Sequence, residues 1–244
     1  MAATACAESR TAAVCVTGLF RSANYTLHHL RRQYPPDMFA VFVVTDGVAD
    51  PSCERAVRIR DTLEPTRMHS LEAINSSQQA GLQLCASLIA EHETTRGRRF
   101  EWVARQRIDT LGCTPSWPDI ASPARHKAIV VDHARCGWTA DNWAFMSRDV
   151  LELYASSIRS EKILGRGLLA QNVSVWTPAS TPCFRIVRES HIRFQSVPGA
   201  AQYQVLMREP DIALALNDTT RPVSFHRQVC PVVPRTDANE SSVG

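Results

Sequence analysis

The sequence has no long apolar run and no cluster of basic residues, and these absences exclude several classes of protein. In this chain of 244 residues the longest apolar runs, such as 40–44 and 128–131, are far too short to cross a bilayer. The N-terminus also lacks the charged and then apolar segments of a secretory leader. The 27 basic and 24 acidic residues give a net charge of +3, and the arginines are spread along the chain. We therefore expect no membrane span and no nucleic-acid partner.

Several common active-site motifs are also missing. The sequence has no GxxxxGK(S/T) phosphate loop, no GxGxxG after the first strand, no GxSxG and no HExxH. These absences argue against kinase, Rossmann dehydrogenase, α/β-hydrolase and zincin functions. The eight cysteines include no CxxC pair and no Cys/His cluster at zinc-ligand spacing. Because Cys15 and Cys85 lie inside apolar runs, we expect most cysteines to be buried core residues, as free cysteines often are.

The asparagines follow an unusual pattern. Five of the six stand two residues before Ser or Thr, where about one match would be expected from the Ser and Thr content. These five are Asn24, Asn75, Asn172, Asn217 and Asn239. They can be acceptors for N-glycosylation in the secretory-pathway lumen, or they can be coincidence in a Ser/Thr-rich chain of the cytoplasm. We expect coincidence, because Asn24 and Asn172 fall where packed structure is predicted and no leader is visible.

Alternating strands and helices predict a single α/β domain with a mostly parallel, Rossmann-like sheet flanked by helices. Residues 12–17 and 38–45 are short apolar runs typical of strands buried on both faces. A helix between them is predicted to start at Ser22 and to end before Pro35. Such a βαβ unit places the carboxyl ends of both strands at one edge of the sheet, where open α/β sheets bind ligands.

The same alternation continues along the chain. Helices are predicted over 52–62 and 76–92 and from Ser147 and Ser160, and strands over 100–108, 128–132, 173–176, 184–187 and 223–225. We expect one domain over residues 12–230, between loose tails at 1–11 and 231–244.

The main candidate site lies at the end of the strand predicted over 100–108, in the middle of the chain. Because side chains alternate along a strand, Arg105, Arg107 and Asp109 are predicted to project to one face at the sheet edge. Two guanidinium groups and a carboxylate can hold a diphosphate with its divalent metal. The alternative is an internal ion pair between Arg107 and Asp109 that fastens the following loop.

Four further residues are candidates. Asp141, which precedes a predicted helix, can serve as a general base or acceptor ligand, or as a helix cap. Arg21 follows the first strand, where a cation can meet a nucleotide phosphate or simply face solvent. Asp46 ends the second strand, where it can hold a ribose or base, or turn the chain before Gly47. His226 is a candidate metal ligand or a structural histidine.

The order of these pieces resembles a known family. A first strand ending in GLFRS is followed by FVVTDG, EWVARQRIDTL, GWTADNWAF and SEKILGRGLLAQNVSV. This series resembles the glycosyltransferase-like proteins in which an "RxRxD" strand precedes a Gly…Asp-aromatic-Ala block and a Glu-x-x-Leu helix. Glu161 and Leu164 fit that helix. In those proteins the helix leads to a strand and an arginine, and the FRIVR segment at 184–188 fits these. The resemblance spans roughly residues 12–190.

The resemblance implies a GT-A fold that transfers a sugar from a nucleotide-sugar to a hydroxyl acceptor, with Mn²⁺ or Mg²⁺. It assigns Arg105, Arg107 and Asp109 to donor phosphate and metal, and Asp141 to catalysis on the acceptor side.

It also places Arg21 and Asp46 beside the nucleotide. Many members show Asp-x-Asp where this chain has Arg107 before Asp109, and a cation can itself neutralise a leaving diphosphate. Two alternative functions are compatible with the same fold: a non-catalytic nucleotide- or glycan-binding protein, and a nucleotidyl- or phosphoryl-transfer enzyme.

Overall fold

A computed structural model describes residues 11–20, 23–71, 77–111, 128–131, 134–135, 138–139, 142–158, 164, 167–168, 170–176 and 185–186. Within these residues the strands are β1 (Ala12–Gly18), β2 (Phe39–Thr45), β3 (Arg67–Ser70), β4 (Trp102–Arg107), β5 (Thr110–Leu111), β6 (Ala128–Val131), β7 (Ala134–Arg135), β8 (Trp138–Thr139), β9 (Trp143–Ser147), β10 (Ser174–Trp176) and β11 (Arg185–Ile186). The helices are α1 (Leu27–Gln33), α2 (Glu54–Leu63), α3 (Gln78–Arg96) and α4 (Leu151–Ser157). Short 3₁₀ turns at Ala23–Tyr25 and Arg148–Val150 precede α1 and α4.

Seven of the strands form one sheet in the order β10-β6-β9-β4-β1-β2-β3. Neighbours pair in parallel throughout, except that β9 runs antiparallel to both β4 and β6. Two small antiparallel pairs, β5 with β11 and β7 with β8, complete the described strands. The predicted fold class, a mostly parallel α/β sheet flanked by helices, is confirmed.

Both faces of the sheet are covered, and β1 shows how its residues divide between them. Ala13 and Cys15 pack into one core cluster with α3 and α4, whereas Val14 and Val16 pack into the other with α1 and α2. Because successive side chains of a strand point to opposite faces, a strand covered on both sides must be apolar throughout. This is why the short apolar runs identified β1 and β2.

Two strands of the sheet were not predicted. No element was predicted for residues 143–147, ahead of the helix predicted from Ser147, but they form β9. The helical residues begin at Arg148 with a 3₁₀ turn, and the Ser147 side chain makes no cap hydrogen bond. Trp143 to Phe145 are buried on both faces, so the apolar run marks a strand. The strand β3, at the edge of the sheet among the described strands, has no apolar run to reveal it, because none of its side chains is fully buried.

The first helix begins later than predicted. Ser22 lies outside the described residues, and α1 starts at Leu27. The hydroxyl of Thr26 does not cap the helix but donates to the carbonyls of Ala23 and Ile108. Thr26 therefore ties the start of α1 to the residue that follows β4.

The cysteines at positions 15 and 85 form a buried disulfide. Their Cα atoms lie 6.0 Å apart, and both side chains are fully buried between β1 and α3. Cys53 also takes part in a disulfide. The predicted core location is confirmed for Cys15 and Cys85, but the expectation of free thiols is wrong, because packing α3 on β1 brings the two within disulfide distance.

The predicted domain limits and both tails stay predictions, since residues 1–10 and 187–244 lie outside the described part of the chain. The strand predicted at 223–225 lies there too, and of the helix predicted from Ser160 only residues 164, 167–168 and 170 are described, as helical. Among the described helices, none combines the length and apolar character needed to cross a membrane.

Candidate functional site

The carboxyl ends of the parallel strands line up along one edge of the sheet. Gly18 at the end of β1 pairs in register with Thr45 at the end of β2. On the other side of β1, Thr17 pairs with Arg107 at the end of β4. Residues that follow these three strands therefore meet at the edge where open α/β sheets bind ligands.

Arg107 and Asp109 form an ion pair at this edge. Both Nε and Nη2 of Arg107 donate to the carboxylate of Asp109, each over 2.9 Å. The Arg107 side chain is 18% exposed and that of Asp109 only 3%. This is the internal pair that the sequence left open as the alternative to a phosphate site. A bidentate pair of this kind fixes the orientation of both groups.

The turn that holds Asp109 is anchored from two sides. The backbone N–H of Ile108 donates to the carbonyl of Thr17 over 2.9 Å, and the Thr26 hydroxyl donates to the carbonyl of Ile108. Directly after the turn, Thr110 and Leu111 pair with β11. The backbone of Arg185 thus lies beside the candidate site, as part of the FRIVR segment.

Arg105 departs from the prediction. It pairs in register with Cys15 in the middle of the sheet, and its side chain is fully buried. The expectation that Arg105, Arg107 and Asp109 emerge together at the mouth of a cleft is therefore wrong for Arg105. It lies two residues further from the sheet edge than Arg107, where helices cover both faces.

Asp46 organises the loop that follows β1. Its Oδ1 accepts a hydrogen bond from the backbone N–H of Phe20 over 2.5 Å, and its Oδ2 lies 3.7 Å from Nη1 of Arg55. The Arg55 guanidinium lies 5.2 Å from the centre of the Phe20 ring. Gly47 leaves room for Arg55, since a Cβ atom there would lie 2.8 Å from Nη1. Asp46 therefore joins the ends of β1 and β2.

Three predicted site residues, Arg21, Asp141 and His226, lie outside the described residues. The neighbour of Asp141 is described: the carbonyl of Asn142 accepts a hydrogen bond from the backbone N–H of Arg107 over 3.1 Å. The helix-cap alternative for Asp141 is wrong, because strand β9 and not a helix begins at Trp143.

A buried polar network lies beneath the site. The Tyr34 hydroxyl donates to Oε1 of Gln106 over 2.7 Å and accepts from Nε1 of Trp143 over 3.0 Å. Nε2 of Gln106 donates to the carbonyl of Thr110 over 3.0 Å. Tyr34 is therefore linked to the backbone on the far side of the Asp109 turn. Sequence reasoning missed this network because its members are far apart in the chain, and it missed Arg55, which belongs to no motif.

Replacing Tyr34 with Phe is expected to lower the free energy of unfolding by about 1–3 kcal/mol at neutral pH, because polar atoms of Gln106 and Trp143 lose a buried partner. Burial raises the pKa of the Tyr34 phenol far above its ordinary value, although the Trp143 hydrogen bond and the Arg105 charge each lower it. Above pH about 10 the unfolded state then releases a proton that the folded state keeps, so stability falls as pH rises.

The stability gap between the wild type and Tyr34→Phe should therefore narrow by up to roughly 1.4 kcal/mol for each pH unit above about 10. Urea unfolding of both proteins between pH 7 and 11 measures this gap. A gap that stays constant to pH 11 contradicts the proposed network.

The described residues do not form a ready-made metal site. No group of three His, Cys, Asp or Glu side chains suited to a metal ion occurs in the described ranges. Asp109 supplies one carboxylate, and both of its oxygens accept hydrogen bonds from Arg107.

The sequence matches no family model and no curated protein. Among solved structures, the chain is similar to the mannosyltransferase PcManGT from Pyrobaculum calidifontis in complex with GDP-Man and Mn²⁺, with 16% identity and a TM-score of 0.50 over 87% of this chain and 66% of that one. It is also similar to S. aureus TarS, with 12% identity and a TM-score of 0.48 over 79% of this chain and 39% of that one. The chain thus spans less than two thirds of the length of either protein. The likeness to the mannosyltransferase shows that the sheet and its helices have a fold also found in a glycosyltransferase.

Proposed function

We propose that the chain transfers a sugar from a nucleotide-sugar donor to a hydroxyl acceptor at the edge formed by the ends of β1, β2 and β4. The observation that supports this most is the alignment of Gly18, Thr45 and Arg107, which brings Asp46 and the Arg107–Asp109 pair to one sheet edge. Parallel α/β sheets bind ligands at this edge. The fold shared with a mannosyltransferase supports the same class of reaction.

The reaction needs a cation where the leaving group develops its charge. The acceptor oxygen forms a bond to the anomeric carbon of the donor, and the bond from that carbon to the diphosphate breaks. The diphosphate leaves with the electron pair, and the acceptor proton passes to a base. In this proposal Arg107 stabilises the departing diphosphate, and Asp141, next in sequence to Asn142, takes the proton.

Asp109 and Asp46 have positioning roles in this proposal. Asp109 holds the Arg107 guanidinium in one orientation, and this preorganisation saves the cost of ordering the side chain when the donor binds. Asp46 holds the backbone of Phe20, directly before Arg21, which is proposed to contact the nucleotide. Arg105 adds positive charge behind the site without reaching the donor. Asp109 and His226 are the residues that would hold Mn²⁺ or Mg²⁺, and such an ion would add to the neutralisation of the diphosphate by Arg107.

A thermal-shift experiment tests donor binding. UDP, GDP and their sugars are each added with and without Mn²⁺, and one of them is expected to raise the melting temperature. Ligand at about 100 times its Kd stabilises the folded state by about 2.7 kcal/mol, roughly 5–10 °C for a domain of this size.

Asp109→Asn should reduce this shift, while Arg67→Ala serves as the matched control. Arg67, which lies on β3 three strands away from β4, forms an exposed ion pair with Glu91, so its removal should leave ligand binding unchanged. If no nucleoside diphosphate or nucleotide-sugar moves the melting temperature of the wild type, the proposed function is wrong.

A non-catalytic binding protein is the second candidate, and the closed Arg107–Asp109 pair favours it, because a carboxylate only 3% exposed and bonded to Arg107 through both oxygens is poorly placed to hold a catalytic metal. This candidate predicts a thermal shift without any release of sugar or nucleotide. Chromatography of the reaction mixture separates the possibilities. Free nucleoside diphosphate identifies sugar transfer, free pyrophosphate or phosphate identifies nucleotidyl or phosphoryl transfer, and unchanged ligand identifies a binding protein.

A further inference from the structure

We infer that Asn172 carries an N-linked glycan and that the chain folds in an oxidising compartment of the secretory pathway. This inference goes beyond the proposed function and does not depend on it. It reverses the expectation that the Asn-x-Ser/Thr pattern is a coincidence.

Asn172 has the geometry of an accessible acceptor. It is exposed, it lies in the turn before β10, and its φ of 56° is in the left-handed region that Asn tolerates. The backbone N–H of Val173 donates to the carbonyl of Leu168 over 2.9 Å, and the Val173 side chain is buried. Ser174, the third residue of the motif, is exposed. The turn is therefore anchored by Val173 while both recognition residues face outward.

Asn24 provides the contrast within the same chain. Its side-chain oxygen is buried, and Thr26, the third residue of its motif, has no exposed surface. The Thr26 hydroxyl donates to the carbonyls of Ala23 and Ile108. A glycan on Asn24 would disrupt the anchor of the Asp109 turn, so we expect this motif to stay unmodified. The sequence predicted that both Asn24 and Asn172 lie in packed structure. In the structure the side-chain oxygen of Asn24 is buried, whereas Asn172 is exposed.

The disulfide between Cys15 and Cys85 is an independent observation that indicates the same compartment. Its formation removes two electrons and two protons from the two thiols, and the disulfide of a carrier protein accepts them by exchange. Such oxidants act in the secretory pathway, whereas the cytosol keeps thiols reduced. Because the bond lies between β1 and α3 with both side chains fully buried, it forms before or during packing of the core.

The modification is a transfer onto nitrogen. The amide nitrogen of Asn172 forms a bond to the anomeric carbon of an oligosaccharide carried on a lipid diphosphate. The bond from that carbon to the diphosphate breaks, the lipid diphosphate leaves with the electron pair, and the amide loses one proton. The transferring enzyme recognises the hydroxyl of Ser174, so Ser or Thr at this position is required.

Peptide mapping tests both the glycan on Asn172 and the disulfide between Cys15 and Cys85. The full protein is isolated from its own cells and digested with trypsin without reduction. The tryptic peptide 167–185 contains Asn172 as its sole asparagine, and the peptides 11–21 and 68–96 contain Cys15 and Cys85. We expect 167–185 to bear a glycan, and enzymatic deglycosylation in ¹⁸O water to convert Asn172 to labelled Asp. We also expect 11–21 and 68–96 to be joined until a reductant is added.

Matched variants expressed in the same cells test whether the glycan is attached to Asn172 and requires the hydroxyl of residue 174. Asn172→Gln and Ser174→Ala should each remove one glycan step on a gel, whereas Ser174→Thr should keep it. Asn24→Gln should leave the glycan pattern unchanged. An unmodified peptide 167–185 overturns the inference whether or not the cysteine peptides are joined. Free, alkylated Cys15 and Cys85 in the native protein overturn it as well.

Discussion

A chain in which Cys15 and Cys85 are both replaced by Ala is expected to be about 4 kcal/mol less stable than the oxidised wild type. The bond joins residues separated by 70 positions in the sequence, and its loss restores the freedom of a long loop in the unfolded chain. The loss is a large part of the roughly 5–15 kcal/mol that stabilises a typical domain. Urea unfolding under non-reducing conditions measures the difference.

The single variants are the control for this prediction. Cys15→Ala and Cys85→Ala each break the same bond, so each should cost nearly as much as the double variant. Single effects that add up to the double effect would show that the two thiols are not joined. Reductant should destabilise the wild type more than the double variant, since the bond that involves Cys53 is present in both.

Arg107→Ala is expected to lower kcat for sugar transfer by about 10²- to 10³-fold, with a smaller effect on the KM of the donor. A group that stabilises charge developing on a leaving diphosphate acts mainly on the transition state, and loss of one such group has about this effect. Arg107→Lys should recover only part of the rate, because Lys keeps the charge but cannot form the bidentate pair with Asp109. Steady-state kinetics with the donor identified by thermal shift measures both.

A charge-swapped protein separates this role from a structural one. In Arg107→Asp combined with Asp109→Arg an ion pair can still form, so most of the stability lost in either single variant should return. The rate should stay low, because the cation has moved to the position of Asp109. Recovery of both stability and rate would show that the pair only fastens the turn, and normal kinetics in Arg107→Ala would exclude Arg107 from the reaction.

Much of the fold could be predicted from the sequence, because a doubly covered sheet requires continuous apolar strands. The runs that became β1, β2 and β6 met this requirement directly. β9 is equally apolar, but its five residues directly precede the helix predicted from Ser147, and they were not recognised as a separate strand. β3 has only partly buried or exposed side chains and no apolar run, so local pattern alone could not identify it.

The candidate site was predictable only in part. The position of Arg107 near the end of the predicted strand placed it at the sheet edge, and the spacing of two residues allowed the pair with Asp109. Burial of Arg105 could not be predicted, because it depends on where the edge of the sheet falls and on the helices packed above β4. The disulfide partner of Cys15 could not be predicted either, since eight cysteines allow many pairings and only the packing of α3 on β1 selects one.

The reversed direction of β9 has a consequence for how substrate preference can evolve. Because β9 runs against β4, its first residue lies at the same edge as the last residues of the parallel strands, and Asn142 bonds to the backbone of Arg107. The chain therefore enters β9 at the edge of the sheet that holds the candidate site, while Trp143 to Met146 are fixed in the core. Under the proposed function, insertions or deletions ahead of Asn142 can therefore change substrate preference without shifting the register of β9 on β4.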